Sequence, residues 1–179
     1  MILVDGERWC SGSLLNTTSP NDNFPLLLTA NHCLSKGEDA VTNFQPMLSY
    51  WSFMWHYESP TCANAVPATI TTTGAQLQAN YYDSDFALVR LTTIPLNAPD
   101  IVPYYLGWDR SSSPMANGGV GIHHPVGDIK KISIANSYQN HPNQITWNYY
   151  TTSPKNTHWA VNYTNGTTSM LYSKFSGII

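Results

Sequence analysis

Apolar residues recur in short alternating or continuous runs separated by turn-forming clusters, and no helical or heptad period stands out. Residues 1–16 predict two short strands around Asp5-Gly6, with Trp9, Leu14 and Leu15 as core candidates. The stretch from Asn16 to Asn23 holds nothing apolar and reads as a turn. A continuous run over 24–30 predicts a buried strand ending just before His32, followed by a polar surface loop over 35–43. Between 46 and 57, Tyr50, Trp51, Phe53, Trp55 and Tyr57 alternate in a way that predicts one long, half-buried strand. Segments 66–73 and 75–82 flank Gly74, and 86–91 is an apolar strand broken only by Arg90. Strands this short, with turn signals this closely spaced, suit a small barrel or sandwich.

Pro95, Pro99 and Pro103 exclude a central strand or helix interior over 93–103, which is the clearest domain boundary. Beyond it, 104–109 and 118–124 predict strands, Pro125-Val126-Gly127-Asp128 a turn, and 130–135 the return strand. Segments 144–150 and 157–163 predict a further pair. The expected organisation is all-β: a first unit over 1–92, a Pro-rich connector over 93–103, and a second unit over 104–179.

Charged residues make up 11% of the 179 positions, against roughly 25% in ordinary soluble domains. Thr, Ser, Asn and Tyr take their place, as suits an extracellular-type β protein. The formal net charge of -3 offers no basic footprint, so nucleic acid is not an expected partner. No window approaches the ~20 apolar residues of a membrane helix, and the start, Met1-Ile2-Leu3-Val4-Asp5-Gly6, does not read as a signal peptide. Cys10 and Cys33 flank a hairpin-like segment and can pair, leaving Cys62 with an intermolecular bond, a free thiol or a missing partner. Three reduced, buried cysteines are the plain alternative.

Two stretches carry candidate chemistry. Leu26-Leu27-Leu28-Thr29-Ala30-Asn31-His32-Cys33 delivers an imidazole to the rim of a buried strand, and Asp83-Ser84-Asp85-Phe86-Ala87-Leu88 sets a carboxylate just before another. A serine hydroxyl becomes a nucleophile when an imidazole takes its proton and a buried carboxylate holds that imidazole in the right tautomer. Asp85 could instead cap a turn, and Asp83 is the nearby competitor, read as a surface carboxylate. His123-His124 invites a metal reading, but neither His-Glu-x-x-His nor Cys-x-x-Cys is present. A strand-end pair near a cleft is the plainer account, and no metal or cofactor is expected. His56, His141 and His158 give no signal, and Asn16, Asn162 and Asn165 sit in glycosylation sequons that matter only in some secretory pathways.

These segments, with Cys10-Ser11-Gly12-Ser13-Leu14-Leu15-Asn16, Gly107-Trp108-Asp109-Arg110, Gly121-Ile122-His123-His124-Pro125 and Lys131-Ile132-Ser133, follow one another in a distinctive order. The chain resembles the lysyl endopeptidase-like branch of the chymotrypsin-like serine proteases across residues 3–168. The resemblance implies a double β-barrel with the active site in the cleft, the first barrel nearly complete and the second partial. It implies His32 as general base, Asp85 as its orienting carboxylate, and a Cys10–Cys33 disulfide. Cys62 would pair with a cysteine upstream of Met1, missing from this chain. It further implies polypeptide substrates, cleavage through an acyl-serine with a possible lysine preference, and a secreted, extracellular or periplasmic location. Trp147 falls near a family tryptophan, though a barrel aromatic is the simpler reading.

The family's nucleophile lies in Gly-Ser-Ser-Gly-Ser-Pro. Here the corresponding place reads Asn165-Gly166-Thr167-Thr168-Ser169-Met170-Leu171-Tyr172-Ser173, and no Gly-x-Ser-Gly occurs anywhere. Ser169 matches the serine after the nucleophile and makes a poor substitute, because the oxyanion-loop glycines are absent too. The expectation is a chain truncated at both ends, inactive as a peptidase and poorly soluble alone. The alternatives are a non-catalytic β-rich module binding carbohydrate or protein, with Trp51 or Trp55 as its aromatic platform, and a functionless gene fragment.

Overall fold

The computed structural model describes residues 1–18, 24–34, 45–65, 68–95, 101–108, 118–140, 143–147 and 151–166. The 35–43 loop, His141, Asp109, Arg110, Ser169 and most of the first turn cluster lie outside them.

Strands β1 (Ile2–Val4) and β2 (Glu7–Cys10) form a hairpin across Asp5-Gly6, whose φ values of 51° and 79° suit the twist of the flanking strands. The free side of β1 pairs with β5 (Ser52–Trp55), and β5 with β6 (Ile70–Thr73), giving an antiparallel sheet in the order β2-β1-β5-β6. A second antiparallel sheet joins β3 (Ser13–Leu15), β4 (Leu26–Ala30), β7 (Ala75–Tyr81) and β8 (Phe86–Leu91) in the order β3-β4-β8-β7. One core serves both sheets, built from Ile2, Val4, Leu14, Leu27, Trp51 and Phe53 with Ala87, Val89 and Leu91 of β8. Every second residue of β8 is buried while Phe86, Leu88 and Arg90 are half-buried, which is the period of two that fixes register.

Beyond the connector, β9 (Gly119–His123), β10 (Lys131–Asn140) and β13 (Trp159–Gly166) form a sheet in the order β13-β10-β9. β11 (Ile145–Trp147) and β12 (Thr151–Ser153) make a separate hairpin. The two parts meet where Leu106 N–H donates to Leu14 O (2.8 Å), Asn16 N–H to Leu106 O (2.9 Å) and Lys130 N–H to Tyr57 O (2.8 Å). The all-β class of a chymotrypsin-like fold holds, although no sheet closes on itself among the described residues.

Four expectations are corrected. The segment 46–57 is not one long strand: a single helical turn, α1 (Gln45–Leu48), precedes β5. Pro46 suits a helix's first turn, and Leu48 and Trp51, three apart, both point into the core. Burial of Trp51 also removes it from any glycan-binding surface. Trp9 lies on a strand but is exposed, since the whole of β2 before Cys10 faces outward. Segment 104–109 contributes one isolated bridge, Leu15 to Leu106, and no strand among its described residues. Finally, 144–150 and 157–163 do not pair among their described residues. β13 runs along β10 from Asn140↔Trp159 to Ser133↔Gly166, and the β11–β12 hairpin sits inside the connection.

Candidate active site

The site forms where two neighbouring strands of the second sheet reach the same edge. β4 and β8 are antiparallel with Ala30 opposite Phe86, so the residues after β4 meet those before β8. β4 leads into a single 3-10 turn, Asn31–Cys33. Asn31 N–H donates to Asp85 O at 3.0 Å, and buried Asn31 Oδ1 accepts from Asn80 Nδ2 at 2.7 Å. Thr29, also buried, donates from Oγ1 to Ser11 O at 2.9 Å and ties β4 to the segment after Cys10.

Asp85 sits at φ 52°, a left-handed conformation that Asp tolerates better than most residues. Its carboxylate is 10% exposed. Oδ1 accepts His32 N–H at 2.8 Å, and His32 Nδ1 lies 2.9 Å from Oδ2 and 3.1 Å from Oδ1. An ionised carboxylate can only accept, so the shared proton belongs on Nδ1 and Nε2 keeps its lone pair. The backbone and ring donors reach one carboxylate together, which fixes the position and the rotation of the imidazole. Asp83, the competing carboxylate, is held by Tyr81 Oη at 3.2 Å.

Cys33 is disulfide-bonded to Cys10, with Cα atoms 6.3 Å apart. The bridge anchors the 3-10 turn to the end of β2, and Cys33 Sγ lies 3.6 Å from His32 Nε2. Cys62 is a free, exposed thiol. Trp147 places its backbone opposite Thr151 in the β11–β12 hairpin.

His123 and His124 stand apart from this pair. They line a cavity of about 440 Å³ between the two parts of the molecule, beside Ile2, Phe53, Tyr104 and Ile122. His124 N–H donates to Ser11 Oγ at 2.8 Å, its Nδ1 meets Asp128 O at 3.0 Å, and its ring stacks on Tyr57 with centroids 5.7 Å apart. Burial pushes His124 down to about 3 and lowers His123 as well, so both are neutral near pH 7. These contacts give His124 a packing role. Neither the Asn31–Asn80 bond nor the Tyr57–His124 stack left a signal in the sequence, because each joins residues far apart in the chain.

A family model described as lysyl endopeptidase, C-terminal domain, matches residues 1–171. A lysyl endopeptidase of Pseudomonas aeruginosa is 34% identical over 136 residues, which cover 73% of this chain and 27% of that relative. The chain thus spans little more than a quarter of the length of that relative.

Proposed function

The chain belongs to the lysyl endopeptidase C-terminal domain family, and from that premise we propose that His32 and Asp85 are the base and orienting carboxylate of a secreted serine endopeptidase whose nucleophile this sequence does not supply. The observation that carries the reading is the hold of Asp85 on both the backbone N–H and the Nδ1 of His32. That hold leaves Nε2 as the free base of the pair. In the reaction, Nε2 takes the serine proton as the oxygen attacks the peptide carbonyl, and returns it to the leaving amine. Without a Gly-x-Ser-Gly segment the sequence lacks the motif that in the family supplies both the serine for Nε2 to deprotonate and the loop of N–H groups for the oxyanion. The chain therefore hydrolyses no peptide as it stands. Residues 1–92 form the unit that carries His32 and Asp85, 93–103 the connector, and the residues from 104 onward the second unit. The substrate class is polypeptide, with a lysine preference as the relative's name suggests.

The experiment treats the purified chain with a fluorophosphonate probe and with lysine-containing peptides. The reading expects no covalent label and no turnover above that of His32→Ala. A label on Ser169, with turnover lost in His32→Ala, would overturn the inactive reading and make Ser169 the nucleophile.

A further inference from the structure

The hydrogen bond from His32 to Asp85 is also of the kind that supports a metal-bound histidine. Metal-bound histidines commonly donate their other ring N–H to a carboxylate, which fixes the tautomer and raises ligand basicity. Asp85 does this to Nδ1 of His32, and the opposite nitrogen faces sulfur. The Sγ atoms of Cys10 and Cys33 and one ring nitrogen of His32 all lie within 4.8 Å of one another. Zinc bonds of about 2.3 Å to sulfur and 2.0–2.1 Å to nitrogen at the tetrahedral angle set a ligand-to-ligand edge of about 3.6 Å. The Cys33 Sγ to His32 Nε2 separation is 3.6 Å.

We propose that reduction of the Cys10–Cys33 bond converts this corner into a zinc site, with both thiolates and His32 Nε2 as ligands and Asp85 supporting the imidazole. The proposal does not rest on the peptidase reading. The disulfide masks the site, since bonded sulfurs cannot each offer a thiolate. A phosphine reductant supplies two electrons and, with one water, becomes its oxide while the disulfide becomes two thiols. Zinc then displaces one proton from each thiol, and the neutral imidazole gives its Nε2 lone pair. The sulfurs must separate to about 3.8 Å, the sulfur–sulfur edge of a tetrahedral site. The Cys10 and Cys33 Cα atoms, 6.3 Å apart, leave room for that by side-chain rotation. The cysteines are buried and the imidazole is 35% exposed, so the fourth position is reached from the histidine side and takes water. Bound metal occupies Nε2 and abolishes its function as a base.

The test uses the full chain in a Cys62→Ser background, which removes the exposed third thiol. The protein is reduced anaerobically with a phosphine, freed of reductant, titrated with Co2+ and then with Zn2+. One Co2+ per chain should bind, with a thiolate-to-cobalt charge-transfer band and the visible bands of a tetrahedral site, and Zn2+ should bleach both. The oxidised protein should show neither. Asp85→Asn should weaken binding about 10- to 100-fold, and His32→Ala at least as much. A reduced chain that merely unfolds and captures metal through its thiols and the neighbouring His32 would be indifferent to Asp85→Asn, whose carboxylate reaches His32 only in the fold. Unchanged affinity in Asp85→Asn or in His32→Ala, no uptake by the reduced protein, or equal uptake by the oxidised protein would each overturn the proposal.

Discussion

Replacing Cys10 and Cys33 by alanine measures how firmly the cross-link holds the His32 segment. The bridge closes a loop with a sequence separation of 23, and the chain-entropy relation assigns such a loop about 11 cal/mol/K, or about 3.4 kcal/mol at 25 °C. Both sulfurs are buried, and losing each costs roughly 0.8 kcal/mol, the value of one buried methylene. Each single variant breaks the bond and loses one sulfur, so each should cost about 4 kcal/mol, and the double variant about 5 kcal/mol. The two sites should thus be coupled by about 3.4 kcal/mol, because the second substitution has no bond left to break. The assay is urea unfolding followed by tryptophan fluorescence, in a Cys62→Ser background so that no freed thiol finds a new partner. For a chain of this length the double variant should melt roughly 10–20 °C lower. Costs that simply add, with a coupling under about 1 kcal/mol, would refute the view that this bridge constrains the unfolded chain.

Burial holds His124 at about 3 and lowers His123 in the same direction, against about 6.5 in an unfolded chain. The unfolded state therefore binds more protons between those values, and stability falls as pH drops through that window. The urea midpoint should be lower at mildly acid pH than at neutral pH, and His124→Asn should shrink the difference; a pH dependence that His124→Asn leaves unaltered would contradict the burial argument. Asn80→Ala strips buried Asn31 Oδ1 of its donor and should cost about 1–3 kcal/mol, read by the same unfolding curves. A change under a few tenths would mean that water replaces the bond. Gly118 stands at φ 106°, where an added Cβ would lie 2.4 Å from Ala135 O. Gly118→Ala should destabilise by more than about 1 kcal/mol, and a neutral thermal melt would exclude this close approach.

Strand identity was legible wherever burial and period agreed. The runs that became β4 and β8 are apolar enough to name from the sequence, and the Asp5-Gly6 turn announces its hairpin. Around α1 the same apolar residues misled, because Leu48 and Trp51 serve the core at a spacing of three while the aromatics nearby alternate. The pairing of β13 with β10 is non-local and leaves no mark in either segment. The candidate site was legible as residue types at strand ends. That the two ends coincide depends on β4 and β8 being antiparallel neighbours, which hydropathy does not encode and the family resemblance does. The contacts that steady the site, Asn31 with Asn80 and Thr29 with Ser11, join polar residues whose burial only the assembled sheets create.

Whether Asp85 sets the state of His32 is read most directly by 15N–1H spectroscopy of the imidazole in the neutral form. The prediction is a proton on Nδ1, an unprotonated Nε2, and loss of that tautomer's dominance in Asp85→Asn, whose amide no longer offers two accepting oxygens. A proton on Nε2 in the wild-type chain, or a tautomer indifferent to Asp85→Asn, would show that the pair is not organised as a catalytic base.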